Sequence, residues 1–109
     1  MTSIGAQGGG LLPTMFQVIS PGTSQAITTG AASVQAADFT AGVTILRVFA
    51  TQDCWIAFGT SPTAVVEGSS SMFLPAGIVE YFERKELEKL AVIQNGTAGK
   101  LYITEGSTS

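Results

Sequence analysis

Histidine is absent from these 109 residues, cysteine occurs once, and charged side chains make up only 12%. Each shortage excludes a class of chemistry. Without histidine there is no hydrolytic triad, and no substitute base sits beside a nucleophile. One cysteine and no histidine leave carboxylates alone as metal ligands, and Asp38, Asp53, Glu67 and Glu80 are scattered rather than spaced as in a metal-binding loop. No enzymatic activity, metal or cofactor is expected. A single cysteine cannot form an internal disulfide, which fits folding in a reducing cytoplasm. Five basic residues against eight acidic ones give a net charge of -3. No basic stripe is available to neutralise phosphates, so nucleic acid is not an expected partner. Gly8 to Gly10 precede no helix and run into Pro13, which excludes a phosphate-cradling loop. Every apolar run is far shorter than the ~20 residues of a spanning helix. The first ten residues show neither the basic nor the apolar region of a secretory signal.

What is present is apolar. Hydrophobic residues are 45% of the chain, while the charged share is about half that of an ordinary soluble domain. A single domain of this length cannot hide all of that surface within itself. With the membrane set aside, burial against other protein chains is the expected cover.

The apolar residues fall in short segments of β-branched and aromatic character, cut by Gly, Pro, Ser and Asn. The richest is Val43 to Gly59, VTILRVFATQDCWIAFG. It reads as a hairpin of two strands joined by a polar turn at Thr51-Gln52-Asp53. In its first arm Val43, Ile45, Arg47 and Phe49 share one face and Thr44, Leu46, Val48 and Ala50 the other. Both sets are largely apolar, which predicts a strand covered on both sides. Before it, Thr14 to Ser20 reads as a strand ended by Pro21-Gly22, and Gln25–Thr28 and Ser33–Ala36 as a pair of weak strands. After it come Thr63–Val66, Met72–Leu74, Ile78–Arg84 with Ile78, Glu80, Phe82 and Arg84 on one face, Leu90–Gln94, a turn at Asn95-Gly96, and Lys100–Glu105. Lys85 to Glu88 is too short for a stable helix and reads as a loop. The fold expected is all-β, a compact sandwich of about eight strands of jelly-roll or Greek-key type. Its domain spans 14–106, between a flexible glycine-rich arm (1–13) and a short tail (107–109). Ile45, Val48, Ile56, Phe58, Phe82, Val92 and Ile103 are its expected core.

Four residues stand out as candidates for an interface. Leu11 and Leu12 would anchor the arm on a neighbouring subunit. Arg47 interrupts an apolar strand, and a buried charge must find a carboxylate; Asp53 or a glutamate of another subunit would serve. Trp55 is either core packing or an aromatic anchor of the kind enriched at binding hot spots. Cys54 reads as a small buried hydrophobe, and the run Glu83 to Lys89 as a solvated mixed-charge loop.

Three strings, TQDCWIAFGTSPTA (51–64), MFLPAGIVEYF (72–82) and KLAVIQNGTAGKLYITE (89–105), resemble small accessory proteins of tailed-bacteriophage virions. The resemblance covers about the last sixty residues and carries over no binding residue. It implies a cement or decoration protein: a β-sandwich, made in the host cytoplasm and located on the virion, that binds the outer capsid surface as a homo-oligomer and stabilises the head by bridging neighbouring capsid subunits. The major capsid protein and further copies of itself, as dimer or trimer, would be its partners, with no membrane involved. The alternative is a connector, tail or binding module of a phage particle that recognises a receptor or carbohydrate.

Overall fold

The computed structural model describes residues 19–108. These form eight strands: β1 (Ile19–Thr28), β2 (Val34–Gln35), β3 (Ile45–Ala50), β4 (Cys54–Gly59), β5 (Met72–Leu74), β6 (Val79–Glu83), β7 (Lys89–Gln94) and β8 (Lys100–Thr108). They build two four-stranded sheets, β1-β8-β3-β6 and β2-β7-β4-β5. All pairings are antiparallel, and they nest: β1 with β8, β2 with β7, β3 with β6, β4 with β5. The β8–β3 and β7–β4 ladders complete the sheets. This nested order over two sheets is that of a jelly roll, so the expected all-β sandwich is present.

The core lies where the two inner faces meet. Leu46, Val48 and Ala50 of β3 and Leu101 and Ile103 of β8 face Cys54 and Ile56 of β4 and Leu90 and Val92 of β7. Strand alternation delivers these residues to one side, because successive side chains of a strand point to opposite faces. Ile27, Ala36, Phe39 and Leu74 close the periphery. On the outside of the second sheet the segment 60–71 lies over a small cluster of Ala57, Ala64 and Ala91. Gln35 donates from Nε2 to the Pro62 carbonyl, and Ala64 N–H donates to Ser33 Oγ.

Several expectations are corrected. The segment 43–59 is not a hairpin, for β3 and β4 lie in different sheets. Thr51-Gln52-Asp53 reverses the chain across the sandwich rather than within a sheet. Nor do Gln25–Thr28 and Ser33–Ala36 pair: β1 joins β8, and β2 joins β7. Pro21-Gly22 does not end a strand. Among the described strands β1 lies at a sheet edge, where proline's missing N–H costs no ladder bond, and the register shift between Pro21 and Ser24 absorbs the irregularity as a bulge. Thr63–Val66 is a loop, and β8 runs to Thr108 through the residues read as a tail. β3 is fully buried on one face only: Ile45, Arg47 and Phe49 are half-buried. Ile45 therefore leaves the core list, and Phe58 and Phe82 are half-buried flanks of the core, their rings 5.6 Å apart. Val48, Ile56, Val92 and Ile103 are core residues as expected. The arm at 1–13 and the strand start at 14–18 lie outside the described residues.

Candidate functional site

The register of the first sheet decides what its outer face presents. Directly opposed residues of antiparallel strands point the same way. Ala26 of β1 stands beside Tyr102 of β8, Tyr102 beside Phe49 of β3, and Phe49 beside Val79 of β6. This apolar row crosses all four strands. In the next row stand Ser24, Thr104, Arg47 and Tyr81, and beyond it Ile45 and Glu83. Tyr81 is 58% exposed, and Val79 and Tyr102 are also exposed. Ser24 and Thr104 bind one another through their hydroxyls at 3.0 Å. The face is thus an aromatic and aliphatic surface with one guanidinium near its middle.

Arg47 is half-buried there between Tyr81 and Thr104. It makes no ion pair among the described residues, whose one salt bridge joins Lys89 to Asp38 at 3.4 Å. Asp53 does not serve it: Asp53 Oδ1 accepts the Ala76 N–H at 2.7 Å and holds two loops together. Glu83 lies on the same face, two residues along the neighbouring strand.

Trp55 is on the other side of the molecule. It alternates with the core residues Cys54 and Ile56, so it faces outward from the second sheet, half-buried. Its Nε1–H donates to Asn95 Oδ1 at 3.0 Å, and its ring packs edge-on against Phe73 with centres 5.3 Å apart. Arg47 and Trp55 are therefore not parts of one patch, as a single interface would require. Leu11 and Leu12 lie outside the described residues.

One end of the sandwich holds a feature that sequence reasoning missed. Arg84, read as part of a solvated loop, is 4% exposed, and so is Glu105. Arg84 donates from Nε to the Glu88 carbonyl at 2.9 Å and from Nη1 to the carbonyls of Val43 and Thr40. Its guanidinium lies 5.3 Å from the centre of the Phe39 ring. The same Thr40 donates its N–H to Glu105 Oε2 at 2.9 Å. Two buried charges of opposite sign are thus tied through the backbone of one residue, Thr40, which satisfies groups that would otherwise be costly to desolvate. Beside Glu105 opens a cleft of about 260 Å³ lined by Ser20, Pro21, Gly22, Thr23, Thr40, Val43 and Gly106. The sequence did carry a signal for Arg84: alternation from Ile78 sets it on the face of Phe82. For Glu105 the signal was its place two residues after inward Ile103.

Comparison with protein-family models, with curated proteins and with solved structures finds no match for this chain.

Proposed function

We propose that this chain is a non-enzymatic structural protein that acts by docking the outer face of its first sheet on other protein surfaces. Following the phage resemblance, that surface is the outside of a capsid, and the chain works as a cement or decoration protein of the virion. The observation that carries this is the apolar row Ala26, Tyr102, Phe49 and Val79 beside Arg47, a charge without an ion-pair partner among the described residues. Large exposed apolar patches mark interaction sites, and an arginine amid aromatics is typical of binding hot spots. The chain would associate as a symmetric dimer or trimer through surface of this kind. Each oligomer would then touch several capsid subunits, adding weak contacts into a stable clamp.

The test uses particles assembled with and without the protein. Particles lacking it should lose DNA and break on heating below the temperature that complete particles withstand. Adding wild type back should restore them, and Arg47→Glu or Tyr102→Glu should bind at least about tenfold more weakly. Light scattering at micromolar concentration should show an oligomer. Particles that are equally robust without the protein overturn the cement reading.

The second reading, a receptor- or carbohydrate-binding module of a phage particle, is favoured by one observation. Trp55, Phe73 and Asn95 place two aromatic rings and an amide together on the opposite face. Phe73→Ser separates the two: loss of binding there, with Arg47→Glu neutral, moves the function to the second sheet.

A further inference from the structure

Glu105 stands where an apolar residue would complete the core. Its strand partner Leu46 is fully buried, and inward residues of β8 before it are Leu101 and Ile103. A carboxylate in this position is costly unless its oxygens are used. Oε2 takes the Thr40 N–H, and the residue borders an open cleft of about 260 Å³. The cleft lies where the register of β1 with β8 shifts, between Pro21 and Ser24. Pro21 and Val43 line the cleft beside the hydroxyl-bearing residues Ser20, Thr23 and Thr40.

We propose that this cleft binds an alkylammonium group, with the positive nitrogen on Glu105 and the hydroxyls and the methylene chain between Pro21 and Val43. The chemistry is that of a lysine side chain on a partner protein or of a small free amine. An ammonium fits better than a guanidinium. A guanidinium binds a carboxylate best through both oxygens in parallel, and Oε2 is committed to Thr40. A hard divalent cation needs six or more oxygen ligands, and no group of three acidic or other metal-binding side chains occurs among the described residues. The site is independent of the sheet face around Arg47, so the docking reading can fail without affecting it.

The experiment follows backbone amide resonances of the full chain during titration with n-butylammonium, with 1-butanol as the uncharged match and with n-butylguanidinium. The amides of Thr23, Thr40, Glu105 and Gly106 should shift and saturate with butylammonium at roughly millimolar concentration, as expected for so small a ligand. Butanol and butylguanidinium should bind at least about tenfold more weakly, the loss expected from removing a charge-assisted hydrogen bond or its geometry. Glu105→Gln keeps a carbonyl for the Thr40 N–H and should lose the ammonium response by a similar factor. No shift, equal binding of butanol, equal binding of butylguanidinium, or an unchanged response in Glu105→Gln overturns the proposal. The butanol comparison is made on wild type and does not depend on the variant folding. A lysine-containing peptide distinguishes the source: binding as tight as butylammonium assigns a protein lysine, and binding of the free amine alone assigns a small molecule.

Discussion

Cys54 opens β4 with its side chain in the core beside Ile56, Leu74 and Val92. Burial, and then the charge of Asp53, pushes its thiol from 9.0 to about 11. The thiolate is the reactive form, so Cys54 should resist disulfide reagents at pH 8 in native protein and react at once in denaturant. Fast labelling of native protein would place the thiol at the surface. The same shift has a consequence for stability. The unfolded thiol ionises near its ordinary value and the folded one only near 11. Between those values the folded chain holds the extra proton, so stability present below pH 9 is lost as pH rises through 11. The melting temperature of wild type should therefore fall more steeply over that interval than that of Cys54→Ala. Parallel curves would contradict it. The two arginines show the limit of reading charges singly. Arg47 sits in the more apolar segment yet is half-exposed, because its strand has only one inner face. Arg84 sits in a charged run yet is buried, because the carbonyls of Val43, Thr40 and Glu88 converge on it.

At the scale of elements, the strands were legible and their partners were not. Composition alone marks β3, β4, β7 and β8, and alternation places Leu101 and Ile103 inward and Tyr102 and Thr104 outward, as observed. A short polar turn, however, looks the same whether it joins neighbours in one sheet or crosses between sheets. Among the described strands only β4 and β5 are consecutive and paired, and every other connection between them changes sheet. The crossings at one end are locked together by glycine and threonine. Gly99 N–H donates to Thr29 Oγ1 at 2.8 Å, Thr29 N–H donates to the Gly99 carbonyl at 2.9 Å, and Lys100 N–H donates to Thr51 Oγ1 at 2.9 Å. A methyl group on Gly99 would meet Gln52 Cβ and Cγ and Thr51 Oγ1 at 2.8 Å. Gly99→Ala should therefore destabilise the fold by about 1–3 kcal/mol, the usual cost of overpacking. Gly22→Ala, whose nearest contact is 3.4 Å from the Glu105 carbonyl, should be close to neutral. Denaturant midpoints of the two variants check this, and equal midpoints would mean the turn at Gln52 gives way freely.

At the scale of the whole molecule, the apolar surplus read from composition resolves into two outer faces with different characters. One carries Tyr81, Tyr102, Phe49 and Val79 around Arg47, and the other carries Trp55 and Phe73 beside Asn95. The sequence held both sets but could not assign them to opposite sides, because that assignment depends on which sheet each arm of 43–59 enters. The edge of the first sheet is guarded as well. Glu80 of edge strand β6 lies opposite Val48 on the inner face, and an inward-pointing charge discourages the strand from pairing with another chain. The nested strand order also sets a timetable. β1, which comes first among the described strands, finds its ladder only in β8, which comes last, and β3 needs β8 on one side as well. Such distant pairings have a large loop-closure cost before they stabilise anything, so folds of this kind form slowly. On the ribosome, β1 has no ladder partner among the described strands until Lys100–Thr108 has emerged, and a nascent chain cut short of that segment keeps only the β3–β6 pair of the first sheet.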